Sequence, residues 1–175
     1  ALLRPGIAVP FLIIALIWGS TWLVIADQIH DVPPSWSVAW RFVIAAPAMF
    51  LVALAMKRSL RLGAAGHWLA LAVGVTQFAG NYNFVYRAEQ YLTSGIVAVM
   101  MGLLIVPNAG LARILLKQPA TPRFALGSLI AIAGIGLLLL HEARMANIGG
   151  HVAFGVVLAL SGMLCASVAN VIQAN

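Results

Sequence analysis

Six strongly apolar stretches follow one another in this chain, at roughly residues 7–26, 36–56, 67–86, 94–115, 124–140 and 152–172. Each is about 17–22 residues long, and about 20 residues of helix cross the hydrocarbon core of a bilayer. A segment at that depth has no water to satisfy its backbone N–H and C=O groups, so a single stretch must close its own hydrogen bonds as a helix. The expected fold class is therefore all-α, a polytopic transmembrane helical bundle with six spans in the observed chain.

The charges between the stretches are sorted by side. All four acidic residues, Asp27, Asp31, Glu89 and Glu142, fall in alternate linkers on one side. The other side holds Arg4, Lys57, Arg58, Arg61, Arg113, Lys117 and Arg123; Arg87 and Arg144 join the acids, and Arg41 lies inside the second stretch. Basic linkers stay cytoplasmic, so this pattern places the N-terminus in the cytoplasm.

Composition agrees. The chain is 63% hydrophobic and 8% charged, with a net charge of +6 and a mean hydropathy of +1.02, whereas soluble domains carry roughly 25% charged residues. The positive charge is spread over cytoplasmic linkers, where anionic headgroups account for it better than nucleic acid does. The one cysteine, Cys165, rules out an internal disulfide and reads as a small packing residue. His30, His67, His141 and His151 lie at or near stretch ends with no partner at ligand spacing, so no metal and no cofactor is expected. The first stretch is too long for a signal peptide and lacks a small-x-small cleavage site. The chain starts at Ala1 without an initiator Met and ends just after the sixth stretch, which suggests a piece of a longer protein.

Along the chain, Pro33-Pro34 separates the first two stretches, with Ser35 the expected N-cap of the second. A Gly149-Gly150 hinge precedes the sixth. Ile14 to Ser20 can be laid over Ser161 to Ser167, with Val24-Ile25 then falling on Val171-Ile172. A repeat restarting at the sixth span is inverted, a construction that puts a transporter's substrate site at mid-membrane between repeats.

Polar groups at membrane depth need a partner or a purpose. The third stretch carries Thr76, Gln77, Asn81, Tyr82, Asn83 and Tyr86; each could bridge helices, but the density favours a polar cavity wall. Trp18, Thr21 and Trp22 share a face of the first stretch, either as the wall of a ligand site or as core packing. In the fourth, Pro107 frees a carbonyl beside Asn108 and reads as a hinge or a static kink. Arg41 either snorkels to the headgroups or acts as counter-ion to a substrate carboxylate. Glu89 caps the fourth span, pairs with Arg87, or gates. Gly127, Ala131 and Gly134 form a small-residue stripe that permits close helix approach. No Asp or Glu lies mid-span, so a neutral, zwitterionic or anionic solute fits better than a cation. No catalytic constellation appears and an enzyme is not expected.

Trp18-Gly19-Ser20-Thr21, Trp40-Arg41-Phe42, and Tyr86 to Tyr91 followed by Thr93-Ser94-Gly95 resemble the motifs of the EamA branch of the drug/metabolite transporter superfamily. So does Gly127 through Gly136 with Leu137 to Leu140. The resemblance covers essentially the whole chain and implies ten spans in two inverted five-helix repeats. Residues 1–145 would be the first repeat and 146–175 the start of the second. It implies a bacterial inner-membrane location, export of small metabolites such as amino acids, and a cavity lined by spans one, three and four and their counterparts. The cavity residues expected are Trp18, Thr21, Trp22, Gln77, Asn81, Tyr82, Asn108 and Asn170, with Arg41 as counter-ion and Pro107 as hinge. Ile105-Val106-Pro107-Asn108 and Cys165 depart from the family's usual residues, which leaves the substrate class open. A small solute and the bilayer are the expected partners, a homodimer is admitted, and a non-transporting membrane scaffold or subunit is the alternative.

Overall fold

The computed structural model describes residues 5–145 and 149–174, and among them every regular element is a helix. Helix α1 (Pro5–Asp31) is followed after two residues by α2 (Pro34–Ala55). Pro33 is the N-cap of α2 and Pro34 opens its first turn, with no side chain capping the end. Ser35, the expected cap, lies two residues too far in, at the second position of the helix. Proline at the first helical position needs no cap for its own nitrogen, because it has no N–H to leave unpaired.

The third span runs without a break through α3 (Ala64–Val73), a π-helical segment (Gly74–Asn81) and α4 (Tyr82–Ala88). The fourth consists of α5 (Ser94–Gly102) and α6 (Ile105–Leu115). Helices α7 (Pro122–Met145) and α8 (Gly149–Gln173) complete the bundle. Gly149 and Gly150, expected to form a hinge, lie in the first turn of α8, and residues 146–148 lie outside the described residues. Five of the six stretches, Gly6–Asp31, Pro34–Ala55, Ser94–Leu115, Pro122–Arg144 and His151–Gln173, are apolar and long enough to cross a membrane. The third carries the π segment instead.

The two interrupted spans differ in cause. In the fourth, the ring of Pro107 would strike the carbonyl four residues earlier, which belongs to Leu103. The chain tightens there: Leu103 N–H donates to Met100 O at 2.9 Å and Leu104 N–H to Met101 O at 3.0 Å. The break therefore falls at Leu103-Leu104, one turn before the expected hinge residue, and Pro107 itself sits in the opening turn of α6. In the third, i→i+5 bonding widens the helix, and side chains attend the carbonyls around it. The Thr76 hydroxyl donates to Ala72 O at 2.7 Å and the Asn83 amide to Ala79 O at 2.8 Å. In hydrocarbon such internal donors are what makes irregular backbone tolerable.

Helix α8 is the hub, packed against the π segment, α3, α4, α5, α6 and α7. Val152, Gly155, Ala159, Gly162, Ala166 and Ala169 form a buried seam at alternating spacings of three and four. Small residues on such a seam let backbones approach closely. A Cβ added at Gly162 would lie 3.2 Å from Asn81 O, one at Gly80 3.0 Å from Cys165 Sγ, and one at Gly155 2.8 Å from Tyr91 Cβ. Trp22 of α1 and Ile135, Leu139 and Ala143 of α7 pack on the main apolar core. The stripe expected to pack in the fifth span does not: nothing lies within 4 Å of a Cβ placed at Gly127 or Gly134. Apolar side chains such as Leu16, Ile44, Ile130 and Leu137 cover the outside, a surface far too continuous for water and suited to lipid.

Two lysines end helices in the left-handed region. Lys57 follows α2 with φ 52° and Lys117 follows α6 with φ 55°. The next N–H reaches back in each case, Arg58 to Ala53 O at 2.9 Å and Gln118 to Ala112 O at 3.2 Å, which closes the helix end in the manner usually left to glycine. A side chain in that conformation costs about 1 kcal/mol.

Candidate functional site

The residues singled out from the sequence separate into groups. Arg41 of α2 reaches α4: its Nη1 donates to Tyr86 Oη at 3.3 Å and its guanidinium lies 5.0 Å from the centroid of the Tyr82 ring. Phe42 meets Phe78 and Tyr82 edge-on at 4.8 and 5.0 Å. Tyr86 is almost wholly buried, beside Ile25 and Val38. Cation–π contact and a charge-assisted hydrogen bond thus hold Arg41 between two helices. In this arrangement its charge is engaged by tyrosines.

A second group lies along α8. Asn170 Nδ2 donates to Asn108 Oδ1 at 3.5 Å, a long contact that joins the hub to α6 just beyond the break. Asn81 is buried, and Gln77 Oε1 is enclosed without a partner. An unpartnered amide oxygen in a packed interior is costly. Gln77 and Asn81 both belong to the π segment, where the widened turn alters the helical register that places side chains one turn apart on a common face.

The first-span group does not stay together. Trp18 is 73% exposed. Thr21 turns its hydroxyl to Ile17 O at 2.8 Å, and Trp22 packs on the main core. Three residues at helical spacing mark one face, but the helix packs mainly on α5 and α2, and its buried Ile25 lies in its C-terminal half.

A larger feature lies at the end of the bundle that carries the acidic residues. A cavity of about 600 Å³ opens between the end of α1, the link from α4 to α5, and the end of α7. Its polar wall includes His30, Glu89, Gln90, Ser94 and Glu142, and Ala26, Ile29 and Leu92 supply an apolar wall. A cavity of about 250 Å³ lies at the other end, around the turn from Gln118 to Thr121. None of the residues expected to line a cavity belongs to either of these two.

Glu89 follows the last residue of α4 and is only 6% exposed. It pairs with neither expected partner in the expected way. Arg87 turns to α2, where its Nη2 donates to Ser35 Oγ at 3.3 Å, while the Ser94 hydroxyl donates to Glu89 Oε2 at 2.7 Å. Glu89 Oε1 is enclosed without a partner. Burial pushes its pKa up to about 7, against a smaller lowering by the Ser94 hydrogen bond. The signal that could have found this cavity was the placement of every acidic residue on one side. What joined three distant segments into one wall was tertiary packing.

No three His, Cys, Asp or Glu side chains among the described residues come together as a metal site.

Comparison with known proteins adds a relationship. The chain is 25% identical to Protein PagO of Salmonella typhimurium over 141 residues, covering 81% of this chain and 46% of that protein. It is 29% identical over 175 residues to a probable amino-acid metabolite efflux pump of the same organism, covering 91% of this chain and 50% of that one. It is 23% identical over 158 residues to the uncharacterized transporter YoaV of Bacillus subtilis, covering 90% and 53%. The chain thus spans about half the length of the curated relatives it matches. No solved structure matches it. The EamA-like transporter family matches residues 6–140, in step with the apolar helices and the relatives named as transporters, and the chain belongs to that family.

Proposed function

We propose that the chain works within a secondary transporter, without enzymatic activity, that exports small metabolites such as amino acids across the bacterial inner membrane by alternating access. In this reading the basic end is cytoplasmic, residues 1–145 form one five-helix repeat, and residues 146–175 begin an inverted second one. The observation that carries it is the contact of Asn108, just past the interruption of the fourth span, with Asn170 on the hub helix. A broken helix whose amide meets a neighbour's amide is a joint that can be made and unmade as a path opens. The family membership makes transport the activity such a joint serves, and one relative's name supplies amino-acid metabolites as the solute class.

The test is efflux of labelled amino acids from cells making the complete protein. Combined Gln77→Leu and Asn81→Leu changes, or Asn108→Leu alone, are expected to lower efflux at least about tenfold. Unchanged efflux in both would remove these residues from the path.

A non-transporting scaffold or subunit has one observation in its favour: Thr76, Asn83 and Arg41 are already engaged within the bundle. Thiol labelling of single cysteines along residues 74–88, in a Cys165→Ala background, separates the two. A periodic pattern of labelling marks a water-filled path, and uniform protection marks the scaffold.

A further inference from the structure

The cavity at the acidic end holds a feature that the polar contacts of the bundle do not use. Glu89 is more than nine-tenths buried, receives one hydrogen bond, from Ser94, and keeps Oε1 enclosed without a partner. A carboxylate so placed is a strong acceptor lacking a donor. Around it the same cavity offers the side chains of Gln90 and Ser94, a second carboxylate on Glu142, and an apolar wall of Ala26, Ile29 and Leu92.

We propose that this cavity is a binding site for the primary ammonium group of a small organic solute, with Glu89 as the anchoring carboxylate. Three N–H donors on one nitrogen suit a wall of clustered acceptors, and the adjacent carbon chain suits the apolar wall. A hard metal cation is a poorer fit, because it asks for six or more oxygen ligands and no cluster of three acidic, His or Cys ligands is present among the described residues. The proposal deepens the transporter reading and rests on it for its physiological meaning, since an amino acid carries such an ammonium group. Arg41, the residue considered for the carboxylate of such a solute, does not line this cavity.

Protonation competes with the ligand. Burial holds the Glu89 carboxyl at about 7, so acid fills the acceptor with a proton. The titratable groups near it on the packed elements are His30 of α1, Glu142 of α7, Tyr91 of the link itself, and His151 of α8, which stacks on Tyr91 at 6.0 Å. Glu142 places a second acceptor carboxylate in the same cavity wall, and His30 lines it from α1.

The experiment titrates the purified full-length protein with n-butylammonium chloride and follows ligand-observed NMR, with sodium butyrate and sodium chloride at equal ionic strength as controls. Binding is expected at about pH 8, at least about tenfold weaker at about pH 5.5, and absent for both controls. Glu89→Gln, which keeps the side-chain shape, is expected to lose about tenfold in affinity at pH 8 and most of the pH response, and Glu142→Gln to lose less. Equal butylammonium binding by Glu89→Gln, equal response to sodium, or no binding by the unmodified protein overturns the proposal. The titration needs no gradient. Ammonium binding without metabolite efflux therefore counts against the export reading alone, and efflux without ammonium binding counts against this site alone.

Discussion

Helices α7 and α8 have the same hydropathy, 2.2 over their most apolar windows, and each carries glycines along one side. One has none of that window buried within the described bundle and the other has half. The glycines of α7 face open space, whereas Gly155 and Gly162 of α8 lie against the α4–α5 link and α4. A small-residue stripe is thus permission for close approach and not a cause of it. What makes α8 the hub is the matching relief on its neighbours: Gly80 opposite Cys165, and Asn81 and Val85 opposite Gly162.

The sharpest way to break this contrast is to fill the glycines. Gly155→Leu and Gly162→Leu are each expected to destabilise the full-length protein by about 3 kcal/mol, with loss of monodisperse material, because backbone and Cβ atoms stand in the way. Gly127→Leu and Gly134→Leu are expected to stay within about 0.5 kcal/mol in the described bundle. Equal effects in both helices, measured by denaturation in detergent, would erase the distinction.

The next effect is at the end of the hub's seam, where the link beside Gly155 carries Glu89. Its carboxyl is held at about 7 by burial, above the ordinary glutamate value of 4.5. The folded protein therefore binds the extra proton between those values, and stability is fully present below the lower one and falls as pH rises through the upper one. The loss between about pH 5 and pH 8 is expected to be about 2 kcal/mol, allowing for solvent at the cavity mouth. Glu89→Gln should flatten that slope, which thermal unfolding at a series of pH values would register.

Smaller again are the donors around the π segment. Thr76→Val and Asn83→Leu are each expected to cost about 1 kcal/mol, by leaving Ala72 O and Ala79 O short of a donor. Ser128→Ala on α7 is the matched control. Smallest is the Asn108–Asn170 pair, whose 3.5 Å contact predicts a coupling of about 0.5 kcal/mol in a double-mutant cycle. A coupling above about 2 kcal/mol would make it a fixed strut and weaken the joint proposed for it.

The fold class was legible because hydropathy and charge belong to single residues, and a membrane helix closes its own backbone bonds. The six stretches and the side of each acidic residue needed nothing more. The functional residues were less legible because their roles depend on pairs. Trp18 and Trp22 share a stretch, yet one is exposed and the other packs on the core. α-Helical spacing puts Gln77 and Asn81 one turn apart on one face, but both lie on the π segment. Arg41 reads from its position as a partner of headgroups or of a substrate carboxylate, whereas two tyrosines from another helix engage it. The cavity at Glu89 draws on residues 26, 90 and 142 at once, and no local window contains all three.

Lys57 and Lys117 carry a consequence beyond the turns they make. Each occupies a position where a helix end favours glycine, and, on the proposed orientation, each puts there a charge of the kind that keeps a linker cytoplasmic. One residue therefore serves two codes, one read by the finished fold and one read earlier, during insertion. The two ask for different amino acids. Glycine would relax the backbone at both turns, and a reporter fused at the basic end should then reveal a fraction of chains threaded the other way. If so, a small part of this protein's stability has been given up for its address.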